Sequence, residues 1–268
     1  MSKGNIVLVH GAWADGSCWS KVILSLEKKG YTVTAAQIPL TSLDDDIEVT
    51  RRLLDQQQGP TVLVGHSYGG AVITGAAAAS SNGKALVYIT AFGLDEGESL
   101  ESGAKQGPPP AGSAAVKPDA YGFLWIDRNK FHDVFAGGAT PEEADVMAAV
   151  QKPLSVISFG SKQGSPAWKK LPSWYLVCTD DQMIPPPAQE FFAKRMDATV
   201  RSVKSSHTPF VSHPDAVTDI IVSAADSLND YHRHHAADSS DLHLARFPGA
   251  SVARTPRLGL ADHRPDRV

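Results

Sequence analysis

Thr61-Val62-Leu63-Val64-Gly65-His66-Ser67-Tyr68-Gly69-Gly70 decides how this chain reads. An apolar, β-branched run ends in Gly-x-Ser-x-Gly, and small residues at helical spacing follow from Ala71 to Ala79. Strand, sharp turn and helix in that order make a nucleophile elbow. Ser67 must sit on the turn, with its Oγ pushed into a cleft. Such a turn is strained, and a Cβ two residues to either side would collide with strand or helix. Gly65 and Gly69 meet that need. The helix beginning just beyond Ser67 supplies unpaired N–H groups and a positive dipole end, which favour developing negative charge. An ordinary Gly-rich strand–helix turn is the bland alternative; the buried strand before and the helix after favour the elbow.

Outward from the elbow, apolar runs alternate with helical patterns. Asn5–His10, Thr32–Ile38, Ala85–Ala91, Trp174–Thr179 and Thr199–Val203 read as further strands. Ser20–Lys29, Asp44–Gln57, a stretch near Ala188–Met196 and Pro214–Leu228 read as helices. Continuous Val/Ile/Leu runs, in place of strict alternation, indicate strands covered on both faces. The expected fold class is therefore α/β, a doubly wound, mostly parallel sheet. Ligands of such sheets bind at the carboxyl ends of the strands.

Residues 94–171 break the rhythm. They open with Gly107-Pro108-Pro109-Pro110, carry Tyr121, Phe123, Trp125, Phe131 and Phe135, and end in a helical pattern near Pro141–Gln151. This is expected to be a cap inserted into a core made of residues 1–93 and 172–231. For any one of its aromatics, packing within the cap is the plain role. As a group they are candidates for a pocket wall, with Phe123 and Trp125 proposed to meet substrate. Residues 232–268 hold six Arg and four Asp in a polar, aperiodic sequence. They are expected to be a disordered tail. His232-Arg233-His234-His235 has no second ligand cluster, so no metal site is expected there.

At 268 residues and 42% hydrophobic, the chain can bury one large domain with an insertion. Its formal net charge is −4; the tail carries +2, which leaves −6 for the remainder. Neither nucleic acid nor an anionic membrane is an expected partner. No apolar run is long enough to span a bilayer. Met1-Ser2-Lys3-Gly4 passes directly into the first strand, so no signal peptide is expected. Two lone thiols, Cys18 and Cys178, fit a reducing, cytoplasmic setting and are read as packing residues. A homodimer is compatible with all of this.

A serine nucleophile needs a base, and the base an orienting acid. After this elbow they follow in the order acid, then histidine. Asp180-Asp181 follows the strand Trp174–Thr179, and Asp181 is the choice, with Asp180 its rival; a turn cap is the ordinary use of either. His207 follows the last strand and is the expected base. His66 is read as structural or pocket-lining, His213 as a helix cap and His132 as a cap residue. The oxyanion hole is assigned to the N–H of Tyr68, directly after the nucleophile, and that of Ala12, on the loop leaving the first strand. Gly11 lets that loop approach closely and is counted among the substrate-binding positions.

Val7-Leu8-Val9-His10-Gly11-Ala12-Trp13, Cys18-Trp19, the elbow, and Tyr175-Leu176-Val177-Cys178-Thr179-Asp180-Asp181 together resemble the plant methylesterase and hydroxynitrile lyase branch of the α/β-hydrolases. The likeness is strongest to its bacterial esterases and covers about Asn5 to Leu228. It implies the α/β-hydrolase fold, a triad on Ser67, Asp181 and His207, oxyanion donors on Ala12 and Tyr68, no cofactor, and small carboxylic esters as substrates. Lyases of the branch place a threonine after the first-strand histidine and a lysine after the catalytic histidine. This chain has Gly11 and Thr208 there, which favours a serine carboxylesterase over a lyase. An amidase using the same site, or a hydrolase-fold protein that only binds a small ligand, is the remaining alternative.

Overall fold

The computed structural model describes residues 2–241, with side chains described as far as residue 228. By internal contacts the chain divides into two units, residues 1–230 and 231–268. In the first unit β1 (Asn5–Val9), α1 (Ser20–Lys28), β2 (Thr32–Ala36), α2 (Leu43–Asp55), β3 (Thr61–Ser67), α3 (Gly69–Ala78) and β4 (Gly83–Ala91) alternate. The insertion holds α4 (Leu100–Gly103), β5 (Val116–Pro118), β6 (Phe123–Ile126), α5 (Phe131–Val134), α6 (Pro141–Ala149), β7 (Leu154–Ser155) and α7 (Val156–Gly160). Then come β8 (Ser173–Cys178), α8 (Pro186–Arg195), β9 (Thr199–Val203), α9 (Pro209–Ser212) and α10 (Pro214–Asp241).

Six strands form one sheet in the order β2-β1-β3-β4-β8-β9, and every pairing in it is parallel. The pleat sends alternate residues to opposite faces. Val7, Val9, Leu63 and Tyr88 enter a core shared with α3 and α8. Ile6, Leu8, Val62, Val64 and Ile89 enter a second core with Trp19 and with Val217, Ile220 and Ile221 of α10. Two apolar layers explain why the interior strands read as unbroken apolar runs. The edge strand β9 is different: most of its residues are exposed, since helices cover an edge poorly. The insertion builds its own three-stranded antiparallel sheet, β5-β6-β7, and a small core around Ile126, Phe131 and Phe135.

Two α2 features show local sequence setting an element's limits. Ser42 caps its start by accepting from the Asp45 N–H at 3.0 Å, and Asp44, Asp45 and Asp46 crowd the positive end of its dipole. α10 departs from the sequence expectation. It runs past Leu228 to Asp241, into the segment read as an aperiodic tail. No Gly or Pro stands between Pro214 and Pro248, so nothing in the chain breaks the helix where its apolar face ends. Residues 242–268 of that expected tail lie outside the described residues. Among the described residues, no helix is long and apolar enough to cross a membrane.

Candidate active site

The strand-to-helix turn is held by close backbone packing. A Cβ on Gly65 would stand 2.5 Å from the Gly69 carbonyl oxygen, and one on Gly69 would stand 2.6 Å from that of Val9. With both neighbours locked, Ser67 is forced to φ +53°, a left-handed conformation that L-residues avoid. Its side chain is thereby delivered to the carboxyl edge of the sheet, at the head of α3.

His207 stands on the loop after β9. Its Nε2 lies 2.9 Å from Ser67 Oγ and its Nδ1 2.6 Å from Asp181 Oδ2. All three residues are buried. Nδ1–H donates to the Asp181 carboxylate, which leaves the Nε2 lone pair facing the serine hydroxyl. Asp181 Oδ1 accepts from the N–H groups of Met183 at 2.7 Å and Ile184 at 3.0 Å. The structure thus joins Ser67, His207 and Asp181 in one line. Asp180 is exposed, and its backbone N–H donates to Ser205 O at 3.1 Å.

A further partner was not legible in the sequence. Thr90 Oγ1 donates to Asp181 Oδ2. In the β3–β4 register His66 faces Ile89 and Ser67 faces Ala91, so Thr90 is an extra residue, a bulge. Its φ of +38° is an outlier for a β-branched residue. Tyr175 OH clamps the next residue, donating to Ala91 O at 2.6 Å and accepting its N–H at 2.9 Å. Only the register of two distant strands creates this contact, and no local pattern announces it.

Two buried neutral histidines brace the same edge. His10 Nε2 lies 3.2 Å from the Ile38 N–H, which can only donate, so Nδ1 carries the proton and donates to Gly11 O at 2.8 Å. Burial pulls the His10 pKa down to about 4. His66 Nε2–H donates to the His207 carbonyl at 2.7 Å, with the two rings 4.6 Å apart. Burial first, and the neighbouring His207 second, hold His66 well below the ordinary imidazole range. His132 and His213 do not reach the site: His132 Nε2–H donates to Ala139 O at 3.0 Å, and His213 pairs with Ser212 beside the start of α10.

The loop His10–Trp13 crosses in front of Ser67. Its Trp13 N–H is taken by Lys152 O at 2.8 Å. Among the described residues, nothing accepts the N–H of Ala12 or of Tyr68. Tyr68 is fixed from its far end, where its hydroxyl donates to Asp46 Oδ2 at 2.5 Å. Burial raises the Asp46 pKa to about 6.

A cavity of about 390 Å³ opens on Ser67, Ala12 and Tyr68. Trp13, Phe92, Leu100, Leu124, Phe159, Met183 and Ile184 wall it, and nearly all of that surface is apolar. Two expectations fail here. Phe123 and Trp125 do not line this cavity; Leu124 between them does. Adjacent residues of a strand face opposite ways, so placing Leu124 inward turns both aromatics outward. Trp125 is exposed, and its Nε1–H donates to Asp119 Oδ2 at 2.9 Å. Gly11 does not reach the cavity either. A Cβ on it would lie 2.8 Å from both His66 O and Ser67 Cβ, so its place is the tight backing of the loop against the elbow.

Residues 6–220 match the model of the alpha/beta hydrolase family. A pyrethroid hydrolase from Sphingobium wenxiniae is 27% identical, over 97% of this chain and 100% of that protein. Methylesterase 17 of Arabidopsis thaliana is 23% identical, over 84% and 92%. Among solved structures, a pyrethroid hydrolase from Sphingobium faniae superposes with a TM-score of 0.74 at 25% identity, covering 85% of this chain and 99% of that one.

Proposed function

Because this chain belongs to the alpha/beta hydrolase family, we propose that it is a carboxylesterase-type serine hydrolase that cleaves small carboxylic esters through an acyl-enzyme. The observation that carries the reading is the unbroken line from Ser67 Oγ through His207 to Asp181, opening on an apolar cavity. The esterase names of the pyrethroid hydrolase and methylesterase relatives support it.

The chemistry follows from the geometry. Ser67 Oγ attacks the ester carbonyl carbon while its proton passes to His207 Nε2. Asp181 holds the imidazole in the required tautomer and stabilises the imidazolium. The carbonyl oxygen, now negative, settles on the N–H groups of Ala12 and Tyr68. One such donor contributes about 2.7–4 kcal/mol of transition-state stabilisation. As the C–O bond breaks, His207 returns the proton to the alkoxide. Water then attacks the acyl carbon and gives a proton to His207, which passes it to Ser67 Oγ as the acid is released. The apolar wall suits the hydrocarbon parts of an uncharged ester and disfavours charged substrates. A cytoplasmic location belongs to this proposal, supported by the two free thiols, Cys18 and Cys178.

The lyase alternative meets a steric obstacle as well as a chemical one. A threonine at position 11 would drive its Cβ into His66 O and Ser67 Cβ. Position 208 is a threonine, which offers no cation for a departing cyanide.

Rapid mixing with a p-nitrophenyl ester tests the proposal. A burst of p-nitrophenol stoichiometric with protein, followed by slower steady turnover, is expected. Absence of ester turnover with short acyl groups overturns it.

A further inference from the structure

Trp13 lines two cavities. One is the catalytic cavity; the other, about 420 Å³, is walled by Cys18, Lys21, Met147, Phe210 and Val211 among others. Among the described residues, no other lines both. The second cavity reaches the surface beside α6, where Val146 and Val150 are exposed.

The indole is held in place from several directions. The Trp13 N–H donates to Lys152 O at 2.8 Å, and its Nε1–H to Leu124 O at 2.8 Å. Its ring meets Phe135 edge-on, with centroids 6.1 Å apart. All three partners belong to the insertion, while Trp13 itself follows the oxyanion candidate Ala12 on the core. Its φ of +61° is left-handed, an unfavourable conformation for a large side chain. Such a conformation persists only where the surroundings over-determine it. Here the surroundings are the two hydrogen bonds and the ring contact that aim the indole between the cavities.

We propose that Trp13 is the specificity-determining partition of this active site, sealing the catalytic cavity from the second one and so limiting the enzyme to compact esters. The inference rests on the esterase reading above and names its substrate class. A short chain on either side of the ester fits within the catalytic cavity. A longer one must displace an indole held by its bond to Leu124 O and its contact with Phe135. Without the indole, the two apolar spaces join, and each methylene that enters the second gains about fourfold in kcat/KM.

The test is a chain-length series of p-nitrophenyl acyl esters and of alkyl acetates, run on the wild type and four variants. The wild type should lose kcat/KM sharply beyond a short chain. Trp13→Ala should move that cut-off by several carbons in one of the two series. Trp13→Phe keeps the bulk, loses the bond to Leu124 O, and should leave the cut-off in place. Met147→Trp added to Trp13→Ala refills the second cavity and should restore the original cut-off. Trp13→Leu replaces Trp13→Ala if the smaller residue prevents folding. A folded Trp13→Ala or Trp13→Leu variant whose cut-off does not move, or a double variant that keeps the long-chain gain, overturns the partition while leaving the esterase reading intact. A wild type that cleaves no ester removes both.

Discussion

Opposite sides of this active site are built by different means. Around Ser67 the backbone sets every position: Gly65 and Gly69 touch carbonyl oxygens, and Asp181 is gripped by two N–H groups. Across the cavity, the insertion presents side chains from a four-residue strand and short helices, with Tyr121, Val146 and Ile157 left exposed. The first arrangement tolerates almost no change of residue. The second fixes only which way a side chain points, and so can vary while the chemistry stays. Substitutions should therefore fall into two classes, severe at the sheet edge and graded in the insertion.

The sharpest test of the severe class is Ser67→Ala. It removes the proposed nucleophile while the buried turn keeps its packing, so the melting temperature should hold. Loss of a triad serine elsewhere costs about a factor of a million in kcat, and a fall of that order is expected in steady-state ester hydrolysis. Asp181→Asn comes next. The amide can turn an N–H toward His207 and hold the wrong tautomer, a loss of about ten-thousand-fold where measured in a serine protease. Asp180→Asn, on an exposed side chain, should leave kcat within about twofold. Equal damage from the two would place the acid elsewhere.

Acid provides a third probe of the same contrast. His10 is buried neutral with its pKa lowered to about 4. The neutral form is the one the fold prefers, so its contribution is complete above the unfolded value near 6.5. It is lost as pH falls through about 4, by about 3 kcal/mol in all. His66 acts in the same direction. Asp46 opposes them: its pKa is raised to about 6, so its contribution is full at low pH and disappears as pH rises through 6. Two histidines against one carboxyl leave a net loss toward acid. Melting temperatures from pH 7 to pH 4.5 should fall, and His10→Gln should flatten that slope. An unchanged slope in the variant would show that His10 is protonated in the folded protein.

The same division explains what could be read beforehand. The strands and the Ser67, His207 and Asp181 alignment were legible because glycine spacing, apolar runs and chain order are local signals that the backbone obeys. Thr90 escaped because its contact with Asp181 depends on a bulge between β3 and β4, a property of two strands in register. The helix past Leu228 escaped because its apolar period ends there, while a continuing helix with no Gly or Pro to break it carries no such period. Phe123 and Trp125 stand out in the sequence as aromatics of the insertion, which says nothing of the way they face. The orientation of a short strand depends on the parity of its pairing, and Val116↔Ile126, Lys117↔Trp125 and Pro118↔Leu124 fix that parity only in three dimensions.

The smallest expected effect tests that parity directly. Leu124 faces the cavity and Trp125 faces solvent, so size and consequence should be inverted. Leu124→Ala removes apolar contact with substrate worth about 1–2 kcal/mol, which should raise KM for a short ester about tenfold with kcat nearly constant. Trp125→Ala deletes a far larger side chain, yet one that lies outside the cavity, bonded to Asp119, and KM should stay within about twofold. A split between KM and kcat matters more than either number. If Leu124→Ala lowers kcat and leaves KM unchanged, then β6 positions the reacting groups instead of bounding the substrate. In that case the insertion belongs with the sheet edge as part of the rigid catalytic frame.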